Sequence, residues 1–211
     1  MSPVITKIEQ QKKRKNRYSL FSGEKFIAGV SEEILLQFNI HNGTELSDQK
    51  LEHIRKKENT LAAREQAWRY LARRAHSIKE LHDKLLNKKI EAEIIAEIIA
   101  DLKKKNYLND EDFSRQLIVD EIKIKKSGPL LIKNKLIKKG VALNLITDLI
   151  DELYDETEQI NNCRFHANKK YEYISTEDRT KQINKLGTYL KQKGYSWETS
   201  GPVIMEMIAI E

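Results

Sequence analysis

The sequence predicts a mainly α fold: a tandem array of three three-helix, helix-turn-helix-like repeats behind a small N-terminal antiparallel β-structure. Three observations predict it. The first is an apolar register that recurs at a fixed offset. Leu81, Leu85, Ile90, Ile94, Ile95, Ile98, Ile99 and Leu102 become Ile132, Leu136, Val141, Leu145, Ile146, Leu149, Ile150 and Leu153 on adding 51. Adding 54 more gives Leu186, Leu190, Tyr195, Thr199, Ser200, Val203, Ile204 and Met207. An offset that preserves apolar positions marks repeated supersecondary units. The second is the break inside each copy: Asn87-Lys88-Lys89, Lys138-Lys139-Gly140 and Gln192-Lys193-Gly194. Lysines suit the negative end of a helix dipole, and glycine reverses a helix at positive φ most cheaply. The third is scarcity: 8 Gly and 3 Pro in 211 residues leave little room for turn-rich β architecture.

Residues 3–30 read differently. Val4-Ile5-Thr6-Lys7-Ile8 is rich in β-branched residues. Arg17–Phe21 and Lys25–Val30 flank Ser22-Gly23-Glu24, a hairpin signal. Three short strands are marginal alone, so this sheet must lean on a helix. Ser31 is an N-cap candidate for a short helix with Glu32 and Glu33 in its first turn. Asn42-Gly43 marks a turn. Ser47-Asp48 starts a long helix to about Arg74, whose polar middle, Arg55 to Asn59, reads as a solvent-exposed connector.

Ser77-Ile78-Lys79-Glu80 is a capping box. Asn109 to Asp112 opens the next helix, and Ser127-Gly128-Pro129 ends it and presets φ for the one after. Asp155 to Tyr173 reads as a polar helix, and Ser175 to Asp178 caps its successor. The expected organisation is a small sheet plus short helix at 1–45 and a connecting helix at 46–60. Helical repeats follow at 61–107, 108–158 and 159–211. The third copy, with Thr199 and Ser200 at two register positions, is expected to act partly as a cap.

Hydrophobic residues at 39% and charged residues at 33% are too apolar a mix for wholesale disorder. No apolar run approaches the roughly 20 residues of a membrane helix, and no secretory h-region opens the chain. One cysteine, Cys163, excludes an internal disulfide framework and reads as a small packing residue suited to a reducing, cytoplasmic setting. The net charge of +6 is uneven. From Ile122 to Thr147 there is no acid, but there are Lys123, Lys125, Lys126, Lys133, Lys135, Lys138 and Lys139. Further basic runs are Lys12-Lys13-Arg14-Lys15 with Arg17, and Lys103-Lys104-Lys105. Such patches are the electrostatic footprint of a polyanionic partner, or else a solvated helical face. With Arg73 and Arg74 added, Lys103–Lys105 and the seven window lysines form the candidate contact surface. Lys135, Lys138 and Lys139 have the spacing of neighbours on one helix face.

No catalytic signature appears. There is no phosphate-binding GxxxxGK[ST], no GxGxxG and no HExxH, and His41, His53, His76, His82 and His166 lack metal spacing. His76 and His82, near a helix start, read as surface residues. Trp68 and Trp197 read as core. The expectation is a non-enzymatic protein with no cofactor, metal or membrane, acting as a monomer.

Three stretches resemble the bacterial RecX regulatory family. They are Tyr70 to Leu81, Tyr107 to Phe113, and Gly128-Pro129 through Leu136 to Lys138-Lys139-Gly140-Val141. Ile5 to Glu9 with Asn16-Arg17-Tyr18 resembles the N-terminal extension of Gram-positive members. Lys89 stands where the family pattern has glycine, Asn109 where it has aspartate and Ser114 where alanine is common. Leu130-Leu131 stands where arginines are frequent. The resemblance implies a modular three-helix-repeat protein that lies on the filament of RecA with single-stranded DNA. It implies modulation, chiefly inhibition, of RecA recombinase, ATPase and co-protease activity in DNA repair, recombination and the SOS response. The residue pattern also leaves open a direct DNA-binding protein using helix-turn-helix-like repeats, and a scaffold indifferent to nucleic acid.

Overall fold

The computed structural model describes residues 2–12 and 15–209. Lys13 and Arg14 of the first basic run lie outside the described residues. Two compact units form: residues 1–73 with 84–101, and residues 74–83 with 102–211.

In the first unit, β1 (Lys7–Gln10), β2 (Arg17–Ser22) and β3 (Lys25–Ser31) make an antiparallel sheet in that order. Gly23, at φ 61°, carries the β2–β3 turn. Leu20 pairs with Ala28, and both are buried with Val30, while their neighbours along each strand are half-buried. The period of two thus sets one face inward. Helix α1 (Glu32–Gln37) is capped by Ser31, whose Oγ accepts from the Ile34 N–H. Helix α2 (Asp48–Leu71) is capped by Ser47. Ile5, Leu20, Val30, Ile34, Leu46 and Ile54 close a core between the sheet and these helices. The sheet does lean on helices, as three strands require.

The polar middle of α2 is not a solvated connector throughout. Glu58 is buried, bonded to the Ser31 N–H and 3.0 Å from the Arg17 guanidinium. A charged residue can sit there because the sheet edge brings it both a donor and a cation. Periodicity along α2 alone cannot reveal those partners.

The remaining helices are α3 (Ile78–Leu86), α4 (Ala92–Lys104), α5 (Asp110–Lys123), α6 (Pro129–Lys138), α7 (Leu143–Leu153), α8 (Glu156–Tyr171), α9 (Arg179–Gln192) and α10 (Trp197–Ala209). The described residues thus hold ten helices and three strands. The repeated register is the core. Leu81, Leu85, Ile94, Ile95 and Ile98 are buried in copy one. Ile132, Leu136, Ile146 and Leu149 are buried in copy two, and Leu186, Leu190, Val203 and Ile204 in copy three. Ser200 is buried too, its Oγ bonded to the Ser196 carbonyl at 2.8 Å.

The capping box forms: Ser77 Oγ accepts from Glu80 N–H at 3.1 Å, and Glu80 reaches back to Ser77 N–H at 3.4 Å. Asn109, Asp155 and Asp178 cap α5, α8 and α9. Gly140 and Gly194 take φ of 80° and 92°. Their counterpart Lys89 adopts φ 60°, so copy one makes the same reversal with a side chain present.

Three single-residue expectations need correction. Trp68 is 39% exposed and Trp197 57%. Trp197 lies across Gly187 and Gly201, helical glycines whose missing side chains make a shallow seat for its ring. His76 is buried, with Nδ1 bonded to the Arg74 carbonyl at 2.9 Å. It sits inside the turn before α3, where the Arg74 carbonyl meets one ring nitrogen. Cys163 is buried, and burial raises its thiol to about 11, as fits a packing residue.

Candidate partner interface

The acid-free window in sequence is not acid-free in space. Glu121, one residue before the window, is buried on α5. It accepts from Lys125 at 2.7 Å, from Lys135, and from Ser127 Oγ at 2.7 Å. Burial pushes its carboxyl up, but these three donors prevail and hold it below the usual carboxylate range. Glu80 repeats the arrangement. It takes two bonds of 3.1 Å from the Arg74 guanidinium and one from Lys139. Burial opposes this, yet the two cations bring Glu80 down to about 2. Lys123 reaches Glu158 on α8 at 2.6 Å.

Of the expected contact residues, Arg74, Lys123, Lys125, Lys135 and Lys139 are therefore held by carboxylates. Arg73, Lys104, Lys133 and Lys138 form no ion pair with a described residue, and Arg73, Lys104 and Lys138 are exposed. Lys103 and Lys105 are exposed as well, and the Lys103 charge acts on Asp110. For Lys123, Lys135 and Lys139 another helix supplies the counterion, which a linear count of charge cannot see.

Lys126 behaves differently. Its backbone is at φ 53°, its ammonium bonds Asn162 Oδ1 at 3.2 Å, and it lies 5.3 Å from the Phe165 ring centre. On the other side of His166, Lys170 and Lys193 lie 5.8 and 5.3 Å from the centre of Tyr189. The His166 ring meets both aromatics edge-on, 5.5 Å from Phe165 and 6.2 Å from Tyr189. Its Nε2 faces the carbonyls of Lys125 and Lys126 at 3.2 and 3.0 Å and so carries the ring proton. Burial, then the Lys193 and Lys169 charges, hold His166 below its ordinary value despite those bonds, so it stays neutral at pH 7.

This lysine–aromatic cluster is the part that sequence reasoning missed. A signal existed in the alternation of Phe165, Lys169, Lys170, Tyr171 and Tyr173, answered by Tyr189, Lys191 and Lys193. Only the packing of α8 on α9 joins the two runs. The cluster contains no activated nucleophile. It offers cations and flat rings, the equipment of a surface that holds a polyanion.

Comparison with known proteins adds the family. A family description, "Regulatory protein RecX N-terminal domain", matches residues 3–47, and "RecX, first three-helix domain" matches residues 63–102. A "Regulatory protein RecX" of Clostridioides difficile is 29% identical over 205 residues, covering 97% of this chain and 96% of that one. One from Listeria monocytogenes serotype 4b is 33% identical, covering 92% of this chain and 72% of the relative. Among solved structures, a "Crystal structure of regulatory protein RecX" superposes with a TM-score of 0.75 over 99% of both chains at 25% identity. RecX from Lactobacillus salivarius gives 0.66, covering 72% of this chain and 99% of that one, at 26% identity. The N-terminal sheet, the three-helix units and relatives that run the length of the chain agree: the chain belongs to the RecX family of regulatory proteins.

Proposed function

We propose that this RecX-family protein binds the filament of RecA on single-stranded DNA and restrains its recombinase, ATPase and co-protease activities. In this reading it acts without catalysis, as a cytoplasmic monomer, in DNA repair, recombination and the SOS response. Membership of a family of regulatory proteins along nearly the whole chain carries the proposal. The helical units at 61–107, 108–158 and 159–211 would each supply contacts, so several weak contacts would add through avidity.

The cations that form no ion pair are the better contact candidates within the larger set. Arg73, Lys133 and Lys138 have charge to spare, whereas Lys135 holds the buried Glu121 and Lys139 the half-buried Glu80. The test measures RecA ATPase turnover and strand exchange at increasing ratios of this protein. Both are expected to fall. Arg73→Glu with Lys138→Glu is expected to weaken the effect about tenfold without lowering the melting temperature. Undiminished ATPase and strand exchange at saturating protein would end the reading.

A further inference from the structure

Beside the lysine–aromatic cluster, the surface of α9 and Lys170 of α8 border a shallow, open cleft of about 420 Å³, lined by Lys170, Asn184, Lys185, Thr188, Tyr189 and Gln192. On α9, positions 184, 188 and 192 fall four apart, so Asn184, Thr188 and Gln192 share one helix face. That face is polar, hydrogen-bonding and next to a ring. From the geometry we infer that this cleft, with Phe165 beyond His166, is a binding site for single-stranded nucleic acid. Tyr189 and Phe165 serve as stacking platforms, and Lys126, Lys170 and Lys193 as phosphate contacts.

The charges favour this occupant. Lys169, Lys170 and Lys193 form no ion pair with a described residue. Nearby acids are largely spoken for: Glu177 is held by Lys185, Glu206 by Arg164 and Glu121 by Lys125 and Lys135. Glu172, at the end of α8, is the exposed acid closest in sequence. Lys126, Lys170 and Lys193 therefore rest on rings rather than on carboxylates. An exposed cation over a ring is only weakly held. A phosphate offers the same ammonium a full negative charge and releases a condensed counterion. Each lysine that swings from ring to phosphate also uncovers the ring face for a base. Stacking and phosphate binding are thus coupled at each site. Phe165 is 49% exposed, so its ring is already partly open. Duplex DNA has its bases stacked internally and cannot use the rings, so the cleft selects single strands. The Asn184 and Gln192 amides and the Thr188 hydroxyl can meet base edges of either donor or acceptor type, which suits binding with little sequence preference.

This site stands apart from the filament proposal, because the experiment uses DNA alone. Fluorescence anisotropy of a labelled 20-mer of thymidylate is followed against the full chain over a range of salt, beside a 20-base-pair duplex. Tight single-strand binding at low salt is expected, weaker for the duplex. Lys170→Gln with Lys193→Gln should shallow the salt dependence by about 1.4 in log–log slope, at about 0.7 for each phosphate no longer neutralised. Tyr189→Leu, which keeps apolar bulk, and Phe165→Ala should each lower affinity about tenfold, while Tyr189→Phe, which keeps the ring, should stay within about twofold. Circular dichroism melts of each variant separate weakened binding from failed folding. The inference is overturned if the 20-mer does not bind at low salt. It is equally overturned if a folded Tyr189→Leu binds as the parent does, or if the duplex binds as tightly as the single strand. Those last outcomes would leave a charged surface that does not read bases. RecA inhibition that persists in the Tyr189→Leu variant would leave the filament proposal intact while this one fails.

Discussion

Glu80 and Glu121 are the residues on which the basic faces depend. Each is a carboxylate flanked by two cations and a serine, one on α3 and one on α5. For Glu80 the pH dependence follows from its lowered value. A carboxyl depressed from 4.5 to about 2 contributes stability that is complete above the higher value. That contribution is lost as pH falls from about 4.5 to about 2. Glu80→Gln removes the ionised partner and leaves Arg74 and Lys139 without a counterion. At pH 7 it is expected to cost about 2 kcal/mol, less than the roughly 3–5 kcal/mol for breaking a fully buried pair because Arg74 and Lys139 stay partly solvated. The gap between parent and variant should close across that same acid window. Urea unfolding at a series of pH values checks both statements. A gap that stays constant down to pH 2 would mean that Glu80 contributes through packing alone.

At the scale of elements, the inter-copy joints matter most. The start of α3 meets the turn before α7: Ser77 Oγ donates to the Lys139 carbonyl at 2.7 Å, and a Cβ on Gly140 would lie 2.6 Å from the Lys79 side chain. The start of α6 meets the turn before α10 in the same way. Gly128 and Leu130 N–H groups donate to the carbonyls of Lys193 and Gly194 at 2.8 and 3.0 Å, and a Cβ on Gly194 would collide with Leu131. These turns thus need glycine twice over, for positive φ and for close approach. Gly43, also at positive φ, has open space around it. Gly194→Ala is therefore expected to cost about 3 kcal/mol or more, against about 1 for Gly43→Ala. Thermal melts would decide, and equal losses would mean that the joint yields.

Much of this scale was legible in the sequence. The register at offsets of 51 and 54 exposed the helices, because a buried stripe must repeat with the helix period. Ser77, Asn109 and Gly140 marked their ends, because caps and reversals are local chemistry. What stayed hidden depends on partners far along the chain. Glu58 reads as solvated until β2 supplies Arg17. Trp197 reads as core until Gly187 and Gly201 give it only a shallow seat. The window lysines read as free until Glu80, Glu121 and Glu158 reach them, and Tyr189 reads as ordinary until α8 brings Lys170 across.

The second unit as a whole rests on copy three more than its altered register suggests. The link between α5 and α6 is held from upstream by Asp120 and Glu121 and from downstream by copy three. Tyr195 Oη donates to the Lys126 carbonyl at 2.6 Å, His166 donates to the same carbonyl, and Asn162 donates to the Ile122 carbonyl at 3.2 Å. Tyr154, 2% exposed at the end of α7, has its hydroxyl 3.4 Å from that of Tyr195 and accepts from Asn162 at 3.1 Å. Removing residues 159–211 strips away all of these partners and uncovers Tyr154. Water can replace the polar partners, but not the missing apolar cover. The truncated protein is expected to keep the helices of copies one and two, melt earlier and aggregate. Under the filament proposal, its effect on RecA should drop without vanishing. Within the intact chain, α10 should still be the weaker second helix. Thr199, Gly201 and Pro202 are poor helix formers, and Thr199 and Ser200 stand where copies one and two carry aliphatic pairs. In a repeat array local stability is close to a sum of unit and interface terms, so that deficit should appear locally. Hydrogen exchange is the direct measurement. Amides from Thr199 to Ile208 should exchange faster than those of Ile94 to Leu102. The reverse order would show that the interface with α8 and α9 outweighs the poor helix propensity of α10.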